Sequence, residues 1–307
     1  MSLFNINNTK LEPIKKAPFS REKDMQKLTE DNLEIVFKLE FVATEFQLNN
    51  LRIDTLAYDK ESNAFVIIEY KKERNFSVID QGYAYLALLL NNRADFILEY
   101  NEKMDKSLKR KDIDWSQSRV IFIAPNFTTH QKGAIEFKDL PMELWEISKY
   151  DNDTILYNQL KSSDSNESIT TISKTNTEIK KVSKEIKVYT EDEPLKYGSE
   201  DSKEFYFEIE NKILELDNDI EKHITKLYIS FINKNNNNSF VSLTMRKTFM
   251  NIILNVNPGE LEDPFNIAED VSKIGKWGIG NYRIKIKNNN QINEAMYLIK
   301  QSFDKNK

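Results

Sequence analysis

Two strand-like segments joined by a short polar stretch most constrain what this chain can fold into. The first reads RIDTLAY (residues 52–58) and the second FVIIEYK (residues 65–71). Both are rich in β-branched and aromatic residues, and the stretch between them contains DKESNA, a polar hairpin loop. The segments therefore predict an antiparallel pair of strands. Each strand also carries an acidic residue inside an otherwise apolar run, Asp54 in the first and Glu69 in the second.

The register of this pair decides where the charged side chains meet. Side chains alternate between the two faces of a strand, so Glu69 and Lys71 project from the same face. The register that places Asp54 opposite Glu69 also places Leu56 opposite Ile67. The two carboxylates would then lie roughly 5 Å apart between their Cβ atoms. Two like charges this close require a cation between them or a raised pKa on one of them.

A divalent cation meets this requirement with useful chemistry. Mg²⁺ binds a few carboxylates and retains water, and it lowers the pKa of that water so that it can attack phosphorus. Lys71 would orient or help to deprotonate the water, or stabilise charge on a phosphate. Asp54, Glu69 and Lys71 together predict a hydrolytic site that uses Mg²⁺ or Mn²⁺.

The same charges also have plainer interpretations. Glu69 and Lys71 could simply pair with neighbours at a sheet edge. Arg52 could bind a phosphate or hold a carboxylate in a structural ion pair. Lys72 and Arg74, in the run KKERN, are candidates for phosphate contacts, although runs of this kind are usually solvated loops.

Composition excludes several classes of function. The 307 residues include no cysteine and only two histidines, which argues against a disulfide framework, a thiolate site or a multi-histidine zinc site. A net charge of −5 argues against a surface devoted wholly to nucleic acid, but not against a local basic groove. No run of about 18 apolar residues occurs, and we expect no membrane span. The N-terminus lacks a secretory pattern, which predicts a cytoplasmic protein.

A polar stretch divides the chain. Residues 161–187 are rich in Ser, Thr, Asn and Lys, contain no aromatic residue and show no sustained apolar period. This composition is typical of a linker or an extended surface arm. We therefore predict an N-terminal domain over residues 1–160, a polar linker over 161–199 and a small α+β domain over 200–307 that serves substrate binding or assembly.

The N-terminal domain is predicted to be an α/β or α+β layer structure, a mixed sheet flanked by helices. A helix follows Ser20, and another covers residues 78–92. The periodicity and residue types predict further strands after these helices. These strands cover residues 95–100, 119–125, 141–148 and 154–160.

The C-terminal domain is predicted to open with one long amphipathic helix over residues 202–224. The polar run NKNNNN then predicts a hairpin between two strands. A third strand, a helix over residues 263–274, a fourth strand and a closing helix follow. This order of elements indicates a small α+β domain.

The N-terminal pattern resembles the PD-(D/E)XK nuclease superfamily. The residues that carry the resemblance are RID (52–54) in the place of PD, EYK (69–71), the leading helix REKDMQKLTEDNLEIVF and the following helix VIDQGYAYLALLL. The arrangement is most similar to the branch that contains archaeal and actinobacterial mismatch or single-strand endonucleases. The resemblance covers roughly the first half of the chain.

This resemblance implies a set of active-site residues. Asp54 and Glu69 would bind a divalent metal together with the backbone carbonyl of Tyr70, and Lys71 would be catalytic. Glu22, on the first helix, would assist the metal site.

The helix after the motif would supply two more residues. The resemblance implies that Gln81 lines the active centre. Tyr85 lies four residues later on the same helical face, would line the cleft with it and is a candidate contact for nucleic acid. Glu22 and Tyr85 also have simpler explanations. The helix dipole favours an acidic residue such as Glu22 in the first turn of a helix, and a tyrosine such as Tyr85 commonly packs at the rim of a core.

The resulting expectation is divalent-metal-dependent phosphodiester hydrolysis of nucleic acid, with DNA preferred to RNA. The alternatives are a catalytically inactive nuclease-fold protein that binds nucleic acid or scaffolds proteins, and an adaptor that acts through the long C-terminal helix. The C-terminal half resembles a bacterial and archaeal domain of unknown function found in proteins labelled "predicted transport protein". No span, signal or lipidation motif supports transport. A homodimer is a prior expectation only.

Overall fold

The computed structural model describes residues 2–49, 51–72, 77–137, 139–161, 168, 177–274 and 278–307. The chain forms two compact units, Met1–Val188 and Tyr189–Lys307. Across the described ranges, no helix is both long enough and apolar enough to cross a membrane.

Unit 1 contains helices and strands in mixed order. Its strands are β1 (Leu3–Asn7), β2 (Lys10–Ile14), β3 (Lys16–Ala17), β4 (Glu40–Leu48), β5 (Leu51–Asp59), β6 (Ala64–Tyr70), β7 (Arg119–Ala124), β8 (Met142–Tyr150) and β9 (Ile155–Leu160). Its helices are α1 (Glu22–Glu30), α2 (Leu33–Phe37), α3 (Val78–Asn91), α4 (Arg93–Met104), α5 (Thr129–Ala134) and α6 (Thr177–Glu185), and short 3-10 turns occupy Arg110–Asp112 and Trp115–Gln117.

Seven of these strands form one mixed sheet. The strand order is β3-β8-β7-β6-β5-β4, with β9 paired to β8. Strands β6, β7 and β8 run parallel to one another, whereas β4, β5 and β6 form an antiparallel series, and β3 and β9 pair with β8 antiparallel. Strands β1 and β2 form a separate hairpin. The carboxyl ends of β6 and β7 therefore point to the same edge of the sheet as the start of β5.

Helices cover both faces of this sheet. On one face, Leu56 and Ile67 pack with α3, α4 and α6 in a single core. On the other face, Val66 and Ile68 pack with α1 and α2 in a second core. The alternation of buried side chains along β5 and β6 fills both cores, since successive residues point to opposite faces. The predicted mixed sheet flanked by helices is confirmed.

Residues 162–167 and 169–176 of the predicted polar linker lie outside the described residues, and the structure differs from the prediction over residues 177–187. Residues 177–185 form α6, and Ile179 and Val182 are buried in the core of unit 1 beside α3. The Lys187 backbone N–H then donates to the Ser116 carbonyl. This helix has nine residues and only two buried positions, so its apolar periodicity is too short to be recognised within a polar sequence. Only its packing against unit 1 identifies it as part of that core.

Unit 2 is a second α+β layer. Its helices are α7 (Asp192–Leu195), α8 (Glu200–Leu214) and α9 (Ile292–Lys305), with a 3-10 turn at Asn289–Gln291. Its strands are β10 (Ile220–Ile224), β11 (Ile229–Asn233), β12 (Asn238–Met245), β13 (Met250–Leu254), β14 (Ala268–Asp270) and β15 (Tyr282–Ile286). The strands form one antiparallel sheet in the order β10-β11-β12-β13-β15-β14, and α8 and α9 share a core with it. The predicted small α+β architecture is confirmed.

Three predicted elements were wrong. Residues 95–100 lie in α4, not in a strand, because Phe96 and Tyr100 are buried four residues apart on one helical face. The helix predicted over residues 202–224 ends at Leu214, and residues 220–224 form edge strand β10. The helix predicted over 263–274 is a turn followed by β14, since the Asp263 carboxylate accepts hydrogen bonds from two later backbone N–H groups.

Candidate active site

The candidate site lies where β5 and β6 separate. Their ladder pairs Leu56 with Ile67, as the sequence predicts, and its last pair toward the site is Thr55 with Ile68. One step further along the same register, Asp54 stands opposite Glu69. There the Asp54 carboxylate accepts a hydrogen bond from the Tyr70 backbone N–H, with Oδ2 at 3.1 Å from the nitrogen. The acidic side chain therefore fills the gap between the strands.

Three side chains hold the Glu69 carboxylate. Lys71 Nζ lies 2.7 Å from Oε1, and Gln81 Nε2 donates to the same oxygen at 2.9 Å. The Tyr85 hydroxyl donates to Oε2 at 2.9 Å. Gln81 and Tyr85 stand one turn apart on α3 and also hydrogen bond to each other. The structure thus brings the predicted α3 residues onto the predicted acidic residue.

The Glu69 carboxylate is close enough to Asp54 to affect the ionisation of Asp54. Asp54 is 9% exposed and Glu69 is 3% exposed. Burial, followed by the charge of Glu69, raises the pKa of Asp54 to about 7. Burial also raises the pKa of the Tyr85 hydroxyl, and the Glu69 carboxylate adds to this effect. The Tyr85 hydroxyl therefore stays protonated at neutral pH and donates a hydrogen bond to Glu69.

Glu22 opens α1 beside this cluster. Its Oε2 accepts a hydrogen bond at 2.7 Å from the backbone N–H of Lys72, directly after the EYK motif. Lys72 Nζ in turn contacts the Ser20 carbonyl at 2.6 Å. The Glu22 charge is a smaller contribution to the raised pKa of Asp54. Glu22 therefore connects α1 to the end of β6 and lies within electrostatic range of Asp54.

The residues predicted to contact nucleic acid lie in different environments. Arg52 forms an ion pair with Glu45 of β4 at 3.0 Å, and its side chain is 57% exposed. Lys72 faces the start of α1, as described above. Arg74 lies outside the described residues. Tyr85 is buried, 4% exposed, and its hydroxyl contacts Glu69 and the Arg52 carbonyl, so the hydroxyl is directed to the candidate site.

The donor set fits a hard divalent cation. Asp54 and Glu69 offer carboxylate oxygens. The N–H and C=O of one residue in an antiparallel strand point to the same side, so the Tyr70 carbonyl lies on the side of Asp54. Mg²⁺ and Mn²⁺ take oxygen ligands, and Mg²⁺ characteristically keeps several waters. Among the described residues, no group of three Asp, Glu, His or Cys side chains is arranged to hold a metal. A cation here would accordingly rest on two carboxylates and a main-chain oxygen.

One residue near Asp54 was not identified from the sequence. Gln26 of α1 donates from Nε2 to the Asp54 carbonyl at 2.8 Å. The signal for it was present, since Glu22, Gln26 and Glu30 form a polar row at a spacing of four along the helix. A polar row on a short helix usually indicates its solvent face, and only the tertiary structure shows that this row faces the sheet.

Fold and site together define a two-domain α+β protein with two buried carboxylates and a partly buried lysine at a sheet opening. The chain is 44% identical over 303 residues to an uncharacterized protein of Haemophilus influenzae. The aligned region covers 99% of this chain and 99% of that protein. It belongs to the family of that protein. Residues 191–306 also match a domain of unknown function, DUF5655.

Similarity to solved structures is distant. A repair endonuclease from Pyrococcus abyssi is 17% identical over 40% of this chain and 45% of that chain, with a TM-score of 0.23. EndoMS in apo form is 20% identical over 39% and 44%, with a TM-score of 0.26. SfsA from Pyrococcus furiosus, in complex with Ca²⁺, is 11% identical over 50% and 78%, with a TM-score of 0.26. This chain spans less than half the length of the two endonucleases, and TM-scores this low do not establish a common fold.

Proposed function

We propose that this protein hydrolyses phosphodiester bonds of nucleic acid, with DNA preferred to RNA, and depends on Mg²⁺ or Mn²⁺. The observation that carries the proposal is the placement of Lys71 beside the buried carboxylates of Asp54 and Glu69 where β5 and β6 separate. Buried carboxylates without a cation are costly, as the raised pKa of Asp54 reflects. A divalent cation between them would remove this cost and supply a hydrolytic centre.

The side chains of the cluster have distinct roles in this proposal. When bound, the metal would lower the pKa of a coordinated water and polarise a phosphoryl oxygen. Asp54, Glu69 and the Tyr70 carbonyl would hold it. Lys71 would orient the attacking water and stabilise negative charge on the phosphate. Gln81 and Tyr85 would fix Glu69, since between them they contact both of its carboxylate oxygens.

Cationic residues at the rim of the cluster would contact the substrate. Arg52 is more than half exposed and can exchange its ion pair with Glu45 for a phosphate, because exposed ion pairs are weak. Lys72 and Arg74 would contribute further phosphate contacts, and Glu22 would keep Lys72 at the end of β6. Phosphate contacts of this type orient a nucleic acid without selecting a sequence.

The test is cleavage by the purified full-length chain. Fluorescently labelled single- and double-stranded DNA and RNA are incubated with Mg²⁺, with Mn²⁺ or with EDTA. We expect metal-dependent cleavage that falls at least a hundredfold in Asp54→Asn and in Lys71→Met. Matched controls are Asp31→Asn and Lys60→Met, since both side chains are exposed and pair with Lys27 and Glu40 rather than with the cluster. Equal cleavage by wild type and by both site variants would show that the activity arises elsewhere.

One observation favours a second function, nucleic-acid binding without catalysis. Lys71 Nζ lies 2.7 Å from Glu69 Oε1, so the lysine already supplies the positive charge that Glu69 needs. In such a protein the cluster would be a structural ion pair within a nuclease-like fold. Binding of labelled DNA that is unchanged by EDTA and by Asp54→Asn, in the absence of any cleavage, would identify this function.

A further inference from the structure

The main chain at Asp54 is excluded from the sheet ladder on both sides. Toward β6, pairing ends at Thr55 with Ile68. Toward β4, the ladder continues from Thr44 paired with Thr55 to Phe46 paired with Ile53, and the position between them is left out. Among the described strands, neither ladder therefore pairs a residue with Asp54.

The residue opposite Asp54 on β4 explains the omission. Glu45 has a φ of 52°, in the left-handed region that residues other than glycine rarely adopt. A residue in this conformation departs from regular strand geometry, and the Glu45 side chain forms an ion pair with Arg52. A buried carbonyl left without a partner costs about 1–3 kcal/mol, so the Asp54 carbonyl requires a donor from outside the sheet.

Gln26 of α1 is that donor. It is 5% exposed, and its Nε2 lies 2.8 Å from the Asp54 carbonyl oxygen, 3.0 Å from Glu30 Oε1 and 3.1 Å from Thr44 Oγ1. A carbonyl and a carboxylate can only accept hydrogen bonds, which fixes the orientation of the amide. Of the three oxygens, the Asp54 carbonyl makes the shortest contact.

The same helix also holds the next residue of β5. Glu30 Oε1 accepts from the Thr55 hydroxyl at 2.5 Å, and it accepts from Gln26 as well. Two consecutive residues of β5 are thus fixed from one face of α1, one through its main chain and the other through its side chain. The polar row of α1 replaces the ladder where the strands separate.

We infer that Gln26 is a positioning residue for the candidate metal site. Its amide holds the main chain of Asp54 so that the carboxylate on the same residue stays directed at the Tyr70 N–H and toward Glu69. This inference rests on the proposed function, because it assigns Gln26 a role in metal binding. Gln26 itself contacts neither metal nor substrate.

The test is Mn²⁺ affinity of the full-length chain, measured by calorimetry and by electron paramagnetic resonance without substrate. Gln26→Leu removes the donor and keeps a similar volume, and Gln26→Met is a second, more flexible replacement. Both are expected to weaken Mn²⁺ binding about tenfold. The matched control is Thr29→Val on the same helix, which loses a buried bond to the Met25 carbonyl and its contact with the Tyr157 hydroxyl.

Thr29→Val should lower the melting temperature and leave Mn²⁺ affinity unchanged. A purely structural role for Gln26 predicts this same result for the Gln26 variants. If the Gln26 variants behave like Thr29→Val, or if neither of them folds, the positioning role is refuted while the proposed function stands. If the wild-type chain binds no Mn²⁺, the proposed function itself fails, and the role of Gln26 fails with it.

Discussion

The hydroxyl of Tyr85 donates a hydrogen bond to Glu69 Oε2 at 2.9 Å, so a buried tyrosine of α3 fixes the acidic residue of β6. Lys71 and Gln81 occupy the other oxygen of that carboxylate. The orientation of Glu69 is therefore determined by a helix and a strand together.

Tyr85→Phe keeps the ring in the core and removes only the hydroxyl. Glu69 Oε2 then loses its donor, and we expect the free energy of unfolding to fall by about 1–3 kcal/mol. Mn²⁺ affinity should fall several-fold, because Glu69 would no longer be held in one orientation. Urea unfolding and Mn²⁺ titration measure the two effects. Tyr197→Phe, at an exposed residue of unit 2, is the control and should change neither. Unchanged Mn²⁺ affinity in Tyr85→Phe would mean that Tyr85 serves the core alone.

Asp54→Asn should stabilise the metal-free protein above neutral pH. Burial and the Glu69 charge raise the pKa of Asp54 to about 7 in the folded chain, from about 3.8 when exposed. The folded state then binds more protons than the unfolded state between these values, so stability decreases as pH rises through this window and the loss is complete above pH 7.

Asparagine cannot ionise, yet it still accepts from the Tyr70 N–H. In EDTA, we expect Asp54→Asn to exceed wild type in the free energy of unfolding by a few kcal/mol at pH 8, with the difference disappearing near pH 4. Urea titrations at both pH values measure this difference. A variant that is less stable than wild type at pH 8 would contradict the assigned cost of burying Asp54.

Val182→Ala examines whether α6 belongs to unit 1. Val182 is 1% exposed in the core beside α3, so truncation should lower the free energy of unfolding by about 2 kcal/mol. Lys184→Ala, at an exposed position of the same helix, is the control. A chain ending at residue 160 should for the same reason be more sensitive to protease than one ending at 188. Equal stability of Val182→Ala and wild type would place α6 outside the cooperative unit.

Arg119→Met examines a charge network at the other end of the sheet. Arg119 contacts Asp59 at 2.9 Å and Glu143 at 2.8 Å. Removing it leaves two largely buried carboxylates without their shared cation, and we expect a loss of about 3 kcal/mol. Mn²⁺ affinity should stay at the wild-type value, since neither acid belongs to the candidate site. Chemical denaturation and Mn²⁺ titration separate the two effects, and a parallel loss of metal binding would contradict this separation.

The sequence predicted the central hairpin well because its pattern is local. Alternation along β5 and β6 and a polar loop between them allow one register that buries the apolar set, and the structure pairs Leu56 with Ile67 accordingly. A shift by one residue would have exposed that whole set. The juxtaposition of Asp54 and Glu69 follows from this register. The i to i+4 relation of Gln81 and Tyr85 is equally local, and both reach Glu69.

Elements whose type depends on packing were predicted less well. Residues 220–224 continue the apolar spacing of α8, but the turn at Asp217, where the side chain accepts from the Asp219 N–H, ends the helix and starts an edge strand. Residues 95–100 form a short, mostly apolar run of the kind that suits a strand, yet Phe96 and Tyr100 pack as neighbours on one helical face. Short segments fit both periods, and the available partner surface decides between them.

The sequence by itself determined the mixed α+β character of each half. It also determined which strands carry the acidic residues and which faces those residues share, because backbone geometry and the burial pattern of a few neighbouring residues decide both. Only the tertiary structure decided that α1 turns its polar row toward the sheet, that Gln26 holds the Asp54 carbonyl, and that α6 completes the core of unit 1. These contacts join residues that are distant in sequence, and no local period specifies which surfaces meet.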